Sequence, residues 1–462
     1  MSHVLHVSTG GEAVGTLRFD AHENRYGFEY ARSWEGRRGA YALSPPIPFY
    51  GPPDSPGSVQ RFLENLLPEG RALDIVSALS HVSKNNIFAL VHVLGKEPVG
   101  AFSFLAMDAT PEEAARAAHE QVGVPGRRRV TDDELSERIR LREEVPFPVW
   151  DGKVRLSLAG YQDKLQVLVE GDQLSLAEGA LSSTHLLKPE SLNPQLPHMV
   201  ANEHFCMTLA ARLNQAARMH LPVASVAIRR IPEPVLLIER FDRIVQWDES
   251  TPNLARAVLR THIIDACQAL DLPSTFKYER NLGSGTDVRN IREGVSYERL
   301  FSLLDKMVAP AHTRIFFLRW AILQLLLGNS DAHGKNISFH VTPAGLEPAP
   351  MYDLVSVKAY GENIDGEMAM AFGDVFLAEE LTPYALADFA HRTGTPPRQL
   401  EREVRAMGHL VLDIAPELAA SDVYVGDERA LVHQISTFIC AQTKRVLELV
   451  RDVSKVDLKL FE

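Results

Sequence analysis

The chain has 462 residues, 45% of them apolar and 23% charged, with 60 acidic against 48 basic side chains and a formal charge of −12. At about 100 to 200 residues per domain this is material for about three domains, and the ordinary apolar fraction excludes wholesale disorder, a collagen-like repeat and a disulfide-stapled mini-protein. The acidic balance excludes a surface that wraps nucleic acid by itself, because phosphate neutralisation needs clustered Lys and Arg; any DNA involved is touched by a partner.

The opening residues lack a basic stretch followed by an apolar one, so no secretory signal is read. Alternating stretches at 15–19 and 26–31, followed by a Pro/Gly loop at 45–57, predict strands with turn punctuation. Helical spacing takes over from Val59 to about Leu94, and Gly95 and Gly100 break it before an apolar strand at 101–106. Residues 1–107 thus form an N-terminal module. Residues 108–150 turn to Ala, Glu and Arg and are expected to be a linker, with Arg127, Arg128 and Arg129 on a solvated charged connector rather than a DNA-contacting patch.

Strand texture dominates from Val154 to Arg243, at 154–158, 165–170, 174–177, 185–188, 223–229 and 234–241. One helix interrupts it near 200–213, with Phe205, Leu209 and Leu213 on a single stripe. Residues 151–250 are expected to form a strand-rich nucleotide-binding lobe and 251–462 a mostly helical catalytic lobe. Within the latter, 314–327 is apolar on nearly every face and predicts a buried helix, which Gly328 ends as a left-handed cap. That helix delivers the polar run N-S-D-A-H-G-K-N-I-S-F at 329–339. Its apolar part is too short and polar to span a bilayer, which needs roughly 20 apolar residues. Cys206, Cys267 and Cys440 lie far apart without ligand spacing, which fits a reducing compartment. The expected location is the cytoplasm, with no membrane contact.

Asp331 and Asn336 stand in a D-x-x-x-x-N spacing, and Asp353 follows in M-Y-D-L-V-S. Hard oxygen ligands with a further carboxylate that can face a hydroxyl suit Mg-ATP phosphoryl transfer; the same residues also read as a helix-end cap and turn residues. Lys188 ends a strand from which an ammonium can reach phosphates, and Glu203 on the next helix could pair with it; alone, Lys188 reads as a rim charge. Residues 239–241 read either as a crossing whose backbone meets an adenine edge or as a plain strand end. The turn 158–164, with Gly160 and Lys164, could lie over phosphates or be a simple hairpin loop.

The blocks S-L-A-G-Y-Q-D-K-L (157–165), S-T-H-L-L-K (183–188), A-N-E-H-F-C-M (201–207), E-R-F-D-R (239–243), D-A-C-Q-A-L-D-L-P-S-T-F-K-Y-E (265–279), L-G-N-S-D-A-H-G-K-N (327–336) and M-Y-D-L-V-S (351–356) resemble the signature blocks of the HipA family. A-L-S-P-P-I-P (42–48) and F-L-E-N-L-L-P-E-G (62–70) are similar to that family's N-terminal domain. Its members are serine/threonine kinase toxins of bacterial type II toxin–antitoxin systems.

The resemblance implies an α+β, two-lobed protein-kinase-like fold with an additional N-terminal module. It implies Asp331 as the catalytic base or orienting carboxylate, Asn336 and Asp353 as Mg²⁺ ligands, and Lys188 as the phosphate-binding lysine. Glu239, Arg240 and Phe241 would meet adenine, with His333, Gly334, Lys335, Asn336, Tyr352 and Asp353 lining the ATP site. Ala159, Gly160, Tyr161, Gln162, Asp163 and Lys164 would form the phosphate loop, and Ser157 the autophosphorylation site that ejects it. The implied cofactors are ATP and Mg²⁺. The implied partners are a HipB-like DNA-binding antitoxin, operator DNA mainly through that antitoxin, and a protein substrate, of which an aminoacyl-tRNA synthetase is one candidate.

The sequence departs from the family at 94–101, L-G-K-E-P-V-G-A, where relatives carry an acidic residue followed by cysteine. It also lacks the G-x-G-x-x-G, H-R-D and D-F-G motifs of conventional protein kinases. Two further readings stand beside the kinase: a catalytically silent co-repressor acting with a DNA-binding antitoxin, and a hydrolase using Ser330 and His333, for which no G-x-S-x-G elbow is present.

Overall fold

The computed structural model describes residues 2–95, 97–106, 110–115, 125–155, 162–217, 219–361, 364 and 366–461. They divide into two compact units, one of residues Met1–Pro189, Arg229–Ser274 and Phe339–Leu346, the other of Glu190–Ile228, Thr275–Ser338 and Glu347–Glu462. Helix and strand mix in the α+β manner expected. No helix among the described residues is long and apolar enough to cross a membrane.

In the first unit, strands Ser2–Thr9, Glu12–Asp20, Arg25–Tyr30 and Ser103–Leu105 make an antiparallel sheet, and helices Ser58–Glu64, Gly70–Ser80 and Ile87–Leu94 fill the sequence between its third and fourth strands. A second sheet has six strands in the order Val226–Arg230, Pro234–Glu239, His185–Pro189, Leu165–Glu170, Gln173–Glu178, Gly126–Val130. Because side chains alternate along a strand, its apolar residues Leu165, Val167, Leu187 and Val235 enter one core. The polar residues between them, Lys164, Gln166 and Lys188, therefore fall on the opposite face.

The segment expected as a linker is, over its described second half, part of this sheet and the cover of its apolar face. Residues 126–130 form the edge strand and pair with Gln173–Glu178. Helix Asp132–Arg140 is nucleated by Thr131, whose side chain accepts from the Glu134 N–H, with three acids in the first turn and two arginines in the last. Its Leu135 and Ile139 join Phe147 and Trp150 in the core beneath the sheet. The arginines are matched to carboxylates: Arg127 Nε donates to Glu170 over 2.6 Å, and Arg128 reaches Glu134 and Asp151. An antiparallel ribbon, Arg243–Trp247 with Ala255–Arg260, adds to the elements read from periodicity.

The N-terminal module and the six-stranded sheet are locked by charge. Glu97 accepts from the Ser183 N–H (2.9 Å) and hydroxyl (2.7 Å) and from Arg243 (3.3 Å). Asp242 holds Arg240 and Arg243 at 2.8 and 2.6 Å, and Arg260 donates to the carbonyls of Gly100 and Phe102. Burial alone would raise the Glu97 carboxyl, but the guanidinium groups of Arg243 and Arg240 outweigh it and hold it below its usual range; Asp242 is likewise depressed by Arg240 and Arg243 against its own burial. Arg61 grips Asp271 through two nitrogens, and Asn65 donates to Leu272 C=O, so residues 251–274, expected in the catalytic lobe, pack with this unit.

Removing one partner of a buried pair leaves the others uncompensated. Glu97→Ala is expected to lower unfolding free energy by roughly 3 kcal/mol in denaturant titration. Since the folded carboxylates lie below their unfolded pKa of about 4, the cluster's stabilisation is complete above that pH, shrinks as pH falls beneath it and is lost as pH falls through the lower folded values. Wild type and variant are therefore expected to converge in stability in acid, and a gap that persists there would contradict the pairing.

Candidate active site

In the second unit, helix Pro310–Leu327 starts with proline in its first turn and is buried along most of its length. Its last turn closes on Gly328 at φ +66°, where the Asn329 N–H bonds Gln324 C=O and the Gly328 N–H bonds Leu325 C=O. A Cβ at Gly328 would run into the Phe438 ring, so glycine is required there by conformation and by space.

The loop that follows is fixed by its own polar groups. Asn329 donates to Gln324 Oε1 (2.8 Å) and accepts from the Asp331 N–H (3.1 Å). The Asp331 carbonyl accepts from the His333 N–H (2.8 Å) and from Asn336 Nδ2 (2.8 Å). Asp331 and Asn336, five positions apart, are thereby joined by a hydrogen bond that uses the amide nitrogen of Asn336 as donor. The Asp331 carboxylate is half-exposed and accepts from the hydroxyl of Tyr278. His333 is buried, and burial, with Lys277 next, lowers its pKa to about 3, so it is neutral and its 3.9 Å approach to Asp331 is not an ion pair. Its Nδ1 accepts from the Lys335 N–H at 3.3 Å. Gly334 donates its N–H to Lys277 C=O, and a Cβ there would collide with Val295.

Asp353 sits at φ +57°, the left-handed region that asparagine and aspartate tolerate best. Its neighbours hold it: Tyr352 donates to Lys335 C=O (2.6 Å) and shares a hydrogen bond with Ser338, and Met351 bridges Val223. Asp331, His333, Gly334, Lys335, Asn336, Tyr352 and Asp353 are thus brought together by these bonds. Their donors are hard oxygens, suited to a cation such as Mg²⁺ that keeps several waters and takes one or two protein ligands; among the described residues no cluster of three His, Cys, Asp or Glu forms a self-sufficient metal cage.

The other expected residues belong to the first unit. Lys188 pairs with Leu236 and Glu239 with His185 across neighbouring strands. One step past the Leu187–Leu165 pair, the same register sets Lys164 across from Lys188, and both lysines are buried. Gln162 donates to Pro189 C=O (3.2 Å), and Asp163 is raised by burial against the pull of Arg142 and Arg71. Phe241 meets the His340 ring edge-on at 6.0 Å. The guanidinium of Arg240 is committed to Asp242 and Ser183, and its N–H to Thr184 C=O, so this residue braces the strand end rather than reaching a ligand with its side chain. Ser157, Ala159, Gly160 and Tyr161 lie outside the described residues. Glu203 is buried in helix Met199–Ala217 of the second unit.

Sequence reasoning missed Tyr278 and Lys277. Both stand in the block 265–279, and the adjacent lysine and tyrosine of that block were the available signal.

A family model described as the HipA-like C-terminal domain matches residues 156–414, and one described as the HipA N-terminal domain matches residues 5–105. A serine/threonine-protein kinase toxin HipA of Shewanella oneidensis is 38% identical over 460 residues, covering 98% of both chains. A putative kinase of Sinorhizobium fredii is 31% identical over 92% of this chain and 94% of its own. A solved Shewanella oneidensis complex of HipA, HipB and operator DNA contains a chain that matches with a TM-score of 0.81 at 37% identity, covering 98% of this chain and all of that one.

Tyr278→Phe removes one hydroxyl from the Asp331 carboxylate. It is expected to lower kinase turnover about tenfold, the order of one lost charge-assisted hydrogen bond, while leaving the melting temperature within about 2 °C. Unchanged turnover would show that Tyr278 does not orient Asp331.

Proposed function

The chain belongs to the HipA family, and from that membership we propose a Mg-ATP-dependent serine/threonine protein kinase that serves as the toxin of a HipBA-like toxin–antitoxin pair. The observation that carries the reading is the hydrogen-bonded loop of Asp331 and Asn336, tied through Lys335 and Tyr352 to the segment of Asp353.

Phosphoryl transfer depends on positioning and electrostatics, with little covalent work for the protein. Asp331 orients the acceptor hydroxyl and accepts its hydrogen bond; Tyr278 holds the carboxylate and neutral His333 packs edge-on against the Tyr278 ring. Asn336 and Asp353 would hold Mg²⁺, which supplies charge to offset that of the phosphate oxygens. Lys164 and Lys188, on one face of the sheet, bring ammonium groups that suit nucleotide phosphates. Glu239 and Phe241 contribute backbone to the adenine edge, with Arg240 bracing them. Gly334, Lys335 and Tyr352 line the nucleotide, and Ala159–Lys164 form the phosphate loop. Ser157 is the autophosphorylation site: a phosphate adds a charge of about −1.5 to −2 to a loop that lies beside ATP, which switches the enzyme off.

A HipB-like antitoxin is the proposed partner, and it carries the contact with operator DNA. That division of labour suits a chain whose own charge is −12. The enzyme acts in the cytoplasm on a protein acceptor, with an aminoacyl-tRNA synthetase as the candidate.

The purified chain incubated with Mg-ATP is expected to gain one phosphate on Ser157, read by mass spectrometry. Asp331→Ala and Asp353→Ala should each lower turnover by about 100-fold or more with the fold intact, and Lys188→Ala should raise KM for ATP and lower kcat. A folded wild-type chain that neither turns over ATP nor labels Ser157 would leave the silent co-repressor as the better reading.

A further inference from the structure

Asn202, on helix Met199–Ala217, is fully buried and is not among the residues to which the kinase reading gives a role. Its Oδ1 accepts from the Ser356 N–H at 2.8 Å and its Nδ2 donates to the Ser356 C=O at 3.1 Å. The side chain thus satisfies both backbone groups of one residue in a stretch with no regular partner strand, where each buried amide needs a partner. Ser356 is also fully buried, and its hydroxyl donates to Leu327 C=O over 2.7 Å. Leu327 is the last residue of helix Pro310–Leu327, whose terminal carbonyls have no partner within the helix.

Three elements meet at this clasp. Ser356 lies three residues after Asp353, and Leu327 lies four residues before Asp331, so one serine is bonded to the ends of both acid-bearing segments. Asp353 occupies the left-handed region, a conformation that persists only where its surroundings hold it. Tyr352 and Met351 fix its N-terminal side; Ser356 fixes the other.

We propose that Asn202 and Ser356 are positioning residues that hold the Asp353 segment in register with the Asp331 loop, and that catalysis depends on this register. The inference rests on the kinase reading for its catalytic consequence and on geometry alone for the coupling. An amide at 202 is needed because it must donate and accept at once; an aspartate keeps the acceptor and loses the donor. A hydroxyl at 356 is needed because the backbone of Ser356 is already taken by Asn202.

The test uses the full chain with Ser356→Ala, Ser356→Thr and Asn202→Asp. Two quantities are read beside the melting temperature: kcat and KM for ATP, and hydrogen exchange of the backbone amides at 356 and 329–331. Ser356→Ala is expected to lower kcat about tenfold with KM for ATP changed less than threefold, and to speed exchange at 329–331. Ser356→Thr, which keeps the donor, is expected to restore both. Asn202→Asp, which sets a carboxylate oxygen against the Ser356 C=O that the amide had bound, is expected to displace Ser356 and so to speed exchange at 356 and at 329–331 together. Faster exchange at 356 with none at 329–331, or a loss of kcat in Ser356→Ala that Ser356→Thr does not recover, would overturn the proposal. A wild-type chain without ATP turnover would defeat the kinase reading instead, and the exchange pattern would still decide whether the clasp couples the two segments.

Discussion

The C-terminal turn of one buried helix governs the chemistry of the second unit. Helix Pro310–Leu327 cannot slide, because apolar side chains are packed around most of its circumference, and protein interiors are too dense to absorb a shift. Its end is fixed in turn by Gly328, which reverses the chain into the left-handed region beside Phe438. Everything polar that follows is measured from that point. Asn329 folds back on Gln324, Asp331 hangs on Asn329, and Asn336 closes on the Asp331 carbonyl. The loop has few degrees of freedom left, which is what a site that works by positioning requires.

The first unit solves a different problem, that of holding cations on a sheet. Alternation gives Leu165, Val167 and Leu187 to an apolar core and leaves Lys164 and Lys188 on the other face. The apolar face would be open to water without a cover, and residues 126–150 provide it with a strand, a capped helix and the rings of Phe147 and Trp150. At the end of the same sheet the segment 239–243 is stiffened by Arg240, Asp242 and Arg243, so its backbone is held by ion pairs rather than by a continuous ladder.

Much of this was legible in the residues. The buried helix, its glycine cap and the D-x-x-x-x-N spacing are local patterns, and local patterns survive translation into structure. Five of the six strands of the larger sheet were read to within three residues of their ends, and the sixth, 126–130, fell in the expected linker. What could not be read depends on meetings between distant segments. Tyr278 reaches Asp331 across 53 positions, and Glu97 reaches Arg243 across 146. Composition suggested that 108–150 was a solvated connector because its arginines and glutamates are numerous; in the fold Arg127 and Arg128 are spent on Glu170, Glu134 and Asp151, and the few apolar residues among them do the packing. The ribbon 243–260 escaped notice because Ile244, Trp247 and Leu259 face solvent, so its apolar residues do not mark a buried face.

The carboxylate of Glu97 is the anion that Arg240 and Arg243 meet from the N-terminal module. Two parts of the sequence that look like separable modules thus share one set of charges. A recombinant that joined this N-terminal module to a sheet lacking Arg240 or Arg243 would inherit a carboxylate without its guanidinium groups. Across a lineage, residue 97 and residues 240–243 should therefore covary as a single inherited unit, and the seam between them should be the place where recombination between relatives is least often tolerated.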